Sequence, residues 1–238
     1  MFRDQEKYGR DPSVIRRTSD KTFYAPLHLK TPHIIFTCSW SDFFIEEADA
    51  WREDVWEVIR RTPRHLYQVL TKRPERILEC LPPDWGNGWP NVWLGVTTEN
   101  QTMADKRVPL FLEVPAALRW IVAEPLLGPL NLRDYFQQTH RLLPTNSNAT
   151  GIGWVVTGAE SGPGARSMDE EWVRSLRDQC LEAKVPFCYK QNLVHGVRVR
   201  SPHLDGRTWD ESPVWIAPEL TAEKPYDKSN TGQLALFQ

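Results

Sequence analysis

The sequence predicts an α/β fold: a partial or complete TIM-barrel-like βα repeat of at least six parallel strands, followed by a disordered C-terminal tail. Two observations carry this. Six apolar runs of strand length recur between residues 33 and 190: His33–Trp40, Leu66–Thr71, Val92–Thr98, Leu118–Glu124, Trp154–Glu160 and Pro186–Lys190. Helical patterns separate several of them, and strands alternating with helices argue for parallel βα units. Each run also ends in polar residues: Ser39, Ser41 and Asp42; Thr71, Lys72 and Arg73; Glu99 and Asn100; Glu124; Glu160; Lys190 and Gln191. In a parallel sheet or barrel the carboxyl ends of the strands share one face, and that face takes the ligand.

Composition sets the outer bounds. The 238 residues suffice for one large α/β domain or two small ones. A net charge of −2 indicates no global attraction to nucleic acid and leaves room only for a local basic patch. No run approaches the roughly 20 apolar residues that span a bilayer, so no membrane association is expected. The charged start Met1–Tyr8 does not read as a secretory signal. Cys38, Cys80, Cys180 and Cys188 are widely spaced, which fits structural thiols in a reducing cytoplasm better than a metal site. The 11 tryptophans are expected to serve packing.

In order, residues 1–32 read as an irregular basic arm, residues 33–216 as the βα barrel-like domain and residues 217–238 as a flexible tail. The first strand, HIIFTCSW, leads into Asp42, which reads equally as a turn residue or a ligand contact. A helix follows from Glu46 to Arg61, with Trp51, Val55, Val58 and Ile59 on one face and Pro63 as its stop. Lys72 and Arg73 stand at the tip of the second strand, where two adjacent cations suit a carboxylate or phosphate. Pro74 then starts a short helix to Cys80, and PPDWGNGWP over residues 82–90 is a loop.

The third strand ends at Glu99, with Asn100 as the cap of the next helix; Pro109 and Pro115 are expected to break that segment up. Glu99 and Glu124 then lie at one end of the sheet, where two carboxylates suit acid–base work or orienting a cation. Residues 137–151 read as a surface loop. After the fifth strand, Ser161-Gly-Pro-Gly-Ala-Arg166 is a glycine-rich turn that can present backbone N–H groups to an anion, and a tight turn is the plainer reading. It is neither a Walker A loop nor GxGxxG. Ser167 and Glu170 have capping-box spacing ahead of a helix carrying Trp172, Val173, Leu176 and Cys180. Leu204-Asp-Gly-Arg207 holds an Asp-Gly turn signal and reads as a small hairpin or closing segment.

Six stretches then point to a family. They are Phe36-Thr-Cys-Ser-Trp-Ser-Asp-Phe-Phe44, Leu70-Thr-Lys-Arg-Pro-Glu-Arg76, Asn91-Val-Trp-Leu-Gly-Val-Thr-Thr-Glu-Asn100, Ala123-Glu-Pro-Leu-Leu-Gly-Pro129, Gly158-Ala-Glu-Ser-Gly-Pro-Gly-Ala-Arg166 and Leu204-Asp-Gly-Arg-Thr-Trp-Asp-Glu211. The chain resembles a phage-associated, uncharacterised family related in fold to radical S-adenosylmethionine enzymes. The resemblance implies a βα barrel-like fold and S-adenosylmethionine with a [4Fe-4S] cluster as cofactors, and the function expected with it is an enzyme acting on nucleic acid. Family members carry three cysteines near the N-terminus, ending in CxxC and tyrosine, which by analogy would ligate the cluster. This chain has no such motif. The family's motif lies directly before a stretch like Met1–Tyr8, so the expectation is a reading frame that starts upstream; the alternative is a natural protein that has lost its cluster.

Asp42, Lys72, Glu99, Glu124 and Lys190, chosen by strand-end position and falling in the matched stretches, are the candidate catalytic groups, although the resemblance assigns them no individual roles. Ser39, Arg73, Asn100, Gly158, Glu160, Gly162, Arg166 and Gln191 become candidate cofactor contacts. Near the end of the tail, Gln233-Leu-Ala-Leu-Phe237 resembles the bacterial sliding-clamp-binding pentapeptide, departing only at Ala235. Gln233, Leu234, Leu236 and Phe237 would then dock in a groove of the clamp. That makes a non-catalytic clamp-recruited module the competing reading.

Overall fold

All six expected runs form strands, and they pair in chain order. The computed structural model describes residues 14–38, 41–138 and 151–215. Strands β1 (Ile34–Phe36), β2 (Leu66–Thr71), β3 (Val92–Thr97), β4 (Leu118–Ala123), β5 (Ile152–Gly158) and β6 (Phe187–Val194) are parallel neighbours. A seventh strand, β7 (Val197–Arg200), pairs antiparallel with β6. The result is an α/β fold whose seven-stranded, mostly parallel sheet curls into a half-barrel bounded by β1 and β7. The tail residues Gln233–Phe237 lie outside the described residues, as does most of the loop expected over 137–151.

Parallel neighbours need crossovers, and helices supply most of them. In chain order these are α1 (Asp20–Phe23) and α2 (Ala25–His28) ahead of the sheet, α3 (Asp49–Arg61), α4 (Ile77–Cys80), α5 (Gln101–Leu112), α6 (Arg133–Gln138) and α7 (Glu170–Ala183). A small hairpin, β8 (His203–Leu204) with β9 (Arg207–Thr208), follows the sheet. Its turn residues Asp205 and Gly206 both have positive φ, 52° and 84°, as a two-residue turn requires. Among the described residues, no helix is long and apolar enough to cross a membrane.

Strand alternation sorts the side chains onto two faces. Val92, Leu94 and Val96 of β3 point outward, into a core shared with Val55, Trp56 and Ile59 of α3, Val108 and Phe111 of α5 and Val173 and Leu176 of α7. The inner face carries Leu66, Trp93, Trp120, Val122, Trp154 and Val156. Trp120 and Trp154 stack at 5.1 Å with planes 23° apart, and Trp93 meets Trp154 edge-on. The hollow of the half-barrel is thus filled with indole. Tryptophan does serve packing here, on both faces: Trp56, Trp85 and Trp89 form a second aromatic group outside.

Four local expectations change. The segment expected to be irregular before residue 33 holds two single helical turns, and Phe23 is fully buried, because that segment docks on the sheet's first edge through Arg64 and His65. α3 begins at Asp49 after a 3-10 turn over Glu46–Ala48, and its buried face includes Arg52. That guanidinium is satisfied by the carbonyls of Phe43 and Ile45, which a count of apolar residues cannot reveal. Pro109 does not break its segment: α5 runs through it, with residue 109 on the exposed side. The cap of α7 is Asp169, accepting from Glu171 N at 2.9 Å, rather than Ser167.

Candidate functional site: the strand-end rim

Because strand side chains alternate, the inner face changes character along its length. It is indole and aliphatic at depth and charged at the carboxyl ends of the strands. Asp42 lies beyond β1, Lys72 and Arg73 beyond β2, Glu99 beyond β3, Glu124 beyond β4 and Glu160 beyond β5, while Lys190 sits at an irregularity within β6. The strand-end groups predicted from sequence do meet at one rim, Ser39 excepted, which lies outside the described residues.

Asp42 is a clasp between two strand ends. Its Oδ1 accepts from Phe44 N (2.9 Å) and Thr71 Oγ1 (2.6 Å). Its Oδ2 accepts from Lys72 N (2.7 Å) and pairs with Arg73 Nη1 at 3.0 Å. Glu99 sits between two cations. Lys72 Nζ contacts Oε1, and Arg107 Nη1 contacts Oε2 at 2.7 Å while also donating to Thr97 O. Burial pushes the Glu99 carboxyl up, but the Lys72 and Arg107 charges outweigh burial and hold it below the usual carboxylate range. Sequence reasoning missed Arg107. The signal was its place seven residues beyond the Asn100 cap, two turns along α5, where a long side chain reaches back to the end of β3.

Glu124 pairs with Lys190 at 2.8 Å, joining the ends of β4 and β6. Glu160 holds Arg166 through three contacts: the Arg166 backbone N–H at 3.0 Å, Nε at 2.8 Å and Nη2 at 2.8 Å. Those hydrogen bonds bring the Glu160 carboxyl down to about 2. They also close the glycine-rich turn into a ring, with Gly162 at φ 122° inside it. Asn100 caps α5 by accepting from Met103 N at 3.1 Å. Gln191 donates to Ala159 O at 2.8 Å and lies so close to Gly158 that a Cβ there would come within 3.1 Å of its Cγ. The segment after β4 is tied across its neighbours, with Leu126 N donating to Gly158 O and Leu127 N to Glu99 O.

Two features of this rim bear on chemistry. In four of the five rim pairs (Arg73–Asp42, Lys72–Glu99, Lys190–Glu124 and Arg166–Glu160) the cation is the outer partner, while Arg107, the second cation on Glu99, is as buried as the carboxylate. In those four the carboxylate side chains are 10–30% exposed and the cations 38–59%. The second feature is a pair of buried hydroxyls, Ser41 Oγ and Thr98 Oγ1, without a hydrogen-bond partner among the described residues. Buried polar atoms of this kind call for a missing partner.

Among the described residues no group of three or more His, Cys, Asp or Glu side chains is arranged to hold an ion. Cys38 and Cys180 are buried, and burial pushes both thiols up, away from the thiolate a metal needs.

The fold and rim define a class: a βα half-barrel protein with a charged rim at the carboxyl ends of its strands. Residues 2–213 match the model of the family described as "Protein of unknown function (DUF5131)", and the chain belongs to that family. No curated protein and no solved structure matches the chain.

Proposed function

We propose that this protein is a radical S-adenosylmethionine-like enzyme of phage or mobile-element type, that it acts on nucleic acid, and that its half-barrel is an open form of the TIM-barrel-like repeat. The observation that carries the nucleic-acid part is the outward placement of four of the five rim cations, Arg107 being the buried one. A chain with a net charge of −2 that turns Lys72, Arg73, Arg166 and Lys190 toward solvent around one mouth is built to meet an anion there. Mixed pairs of this kind also suit a zwitterion: a carboxylate can exchange places with Glu124 on Lys190, and an ammonium can replace Lys190 on Glu124. With Thr98 Oγ1 lacking a partner among the described residues, this donor set fits the amino-acid and ribose parts of S-adenosylmethionine, beside the Gly158–Gly164 turn. Bound there, the cofactor would supply a sulfonium-activated carbon group.

The described residues do not fit a [4Fe-4S] cluster, since the four cysteines are scattered and two are buried. Its ligands would have to come from outside these residues. Within the chain, Lys190 and Glu124 orient the bound zwitterion, and Glu99, kept ionised by Lys72 and Arg107, is a charge acceptor rather than a proton donor near neutral pH.

Thermal denaturation with S-adenosylmethionine tests this reading. A ligand that binds only the native state raises stability by about 2.7 kcal/mol at one hundred times its Kd. The upward shift in Tm should shrink in Glu124→Gln and Lys190→Gln. No shift at millimolar cofactor would sink the cofactor reading.

A second reading rests on the tail. Gln233-Leu-Ala-Leu-Phe237 favours a barrel module delivered to DNA by a sliding clamp, with no chemistry of its own. Titrating a bacterial sliding clamp with the full chain and with Leu236→Ala/Phe237→Ala checks it, because binding confined to the unaltered tail is the expected result.

A further inference from the structure

Strand β6 does not stop at the rim. After Lys190 it continues to Val194, turns through His195 and Gly196 (φ 50° and 77°) and returns as β7. Four residues past the rim at ~3.4 Å each carry the hairpin roughly 14 Å beyond it. Every residue of β7, Val-Arg-Val-Arg, is exposed.

The two sides of this hairpin differ. Arg200 lies opposite Gln191, and Arg198 opposite Leu193. Gln191 packs beside Gly158 on the inner-face side, whereas Asn192 turns the other way to Glu170 at the start of α7, at 3.2 Å. Directly opposed residues share a side of the ribbon. Arg198 and Arg200 are therefore on the mouth side, and Val197 and Val199 on the other. Neither guanidinium has an ion-pair or hydrogen-bond partner among the described residues, unlike the four outward rim cations. A charge that merely protects an exposed edge from pairing works on either side. Here both arginines are on one side, and it is the side continuous with the site.

We propose that the β6–β7 hairpin is a nucleic-acid arm, in which Arg198 and Arg200 hold the phosphodiester backbone of a single strand whose target nucleotide lies over the rim. The proposal rests on reading the mouth as a nucleic-acid site, and it adds the residues that would grip the flanking strand. Residues two apart on a strand are about 6.8 Å apart, a spacing that lets neighbouring guanidiniums engage successive phosphates. Arginine binds a phosphate through two parallel N–H bonds. Single strands are the expected form, because an enzyme that works on a base must have it out of the duplex.

The test is fluorescence anisotropy of the full chain with labelled 20-nucleotide DNA and RNA single strands between 50 and 200 mM salt. Each phosphate contact contributes a slope of about −0.7 in log affinity against log salt. Arg198→Gln/Arg200→Gln is expected to weaken binding about tenfold at 50 mM salt and to flatten the slope by about 1.4. Arg198→Lys/Arg200→Lys should keep most of the slope, and Lys106→Gln on α5 should change nothing. Comparing the DNA and RNA arms tells which strand is held. Wild-type affinity and slope in the Gln variant, with weakened binding in Lys72→Gln/Lys190→Gln, would overturn the arm and leave the mouth standing. No binding by the wild type would overturn both. A protein partner retained on β7 by the Gln variant regardless of salt would make the edge a strand-pairing surface and also overturn the proposal.

Discussion

Gly95 on β3 lies directly opposite Trp120 on β4, and the indole occupies the space where a side chain at position 95 would begin. A Cβ at that point would stand 2.5 Å from Trp120 Nε1. The pair sets how deep the aromatic filling of the half-barrel sits, and so how far below the charged rim the floor lies. Gly95→Ala is expected to destabilise the fold by about 1–3 kcal/mol through overpacking. Urea denaturation should show a lower midpoint at unchanged slope, and near-UV dichroism should report the disturbed Trp120–Trp154 stack.

Asp42 accepts from two backbone N–H groups and one hydroxyl and pairs with Arg73. Asp42→Ala leaves those donors unanswered and should cost about 3 kcal/mol, with Asp42→Asn costing less because one oxygen remains. Comparing the two by chemical denaturation separates a structural clasp from a purely chemical role. An Asp42→Ala protein of unchanged stability would rule the clasp out.

His65 is a built-in acid sensitivity. Its Nδ1 accepts from His33 N–H at 3.2 Å, so the ring hydrogen is on Nε2, which donates to Pro26 O at 3.1 Å. Burial lowers its pKa to about 4. The unfolded chain takes up a proton near 6.5 and the folded one does not, so this contribution is present above pH 6.5 and is lost as the pH falls towards 4. The full effect is of the order of 3 kcal/mol. In His65→Gln the stability-against-pH curve should be flatter in that window, whatever its absolute height.

Glu160 titrates lower. Its hydrogen bonds from Arg166 bring its pKa from an ordinary 4.5 to about 2. Folded lies below unfolded, so its contribution is present above pH 4.5 and fades as the pH drops through 2. Glu160→Gln should lose stability at neutral pH and converge with the wild type in acid. Parallel curves would show that the ring closed by Arg166 does not couple to folding.

Pro109 lacks the N–H that would continue the α5 ladder, and its position is exposed. Pro109→Ala is therefore expected to raise stability by about 1–3 kcal/mol. A thermal midpoint no higher than wild type would mean that α5 is already strained to suit proline.

Much of the scaffold was legible because period and punctuation are local. Runs such as Val92–Thr97 and Leu118–Ala123 announce themselves by apolar continuity, and their polar ends located Lys72, Glu99, Glu124 and Lys190 at one rim. The misses share a cause: they depend on partners far away in the chain. Arg52 reads as a helix-surface charge until the carbonyls of Phe43 and Ile45 meet it. Arg107 reads the same way until Glu99 is placed beside it. β7 escaped because Val-Arg-Val-Arg is too short and too charged to read as a strand until β6 offers its edge.

By itself, then, the sequence determined the α/β class, the six parallel strands and the end of the sheet at which their polar residues gather, because hydrophobic spacing and strand-end polarity are written along the chain. The tertiary structure alone decided how those strand ends pair. It sank the carboxylates beneath four of the five rim cations, filled the hollow with Trp93, Trp120 and Trp154, and set Arg198 and Arg200 on the mouth side of a hairpin. Burial, ion pairing and the side on which a residue emerges depend on distances between segments far apart in the chain, and those distances exist only once the sheet has curled.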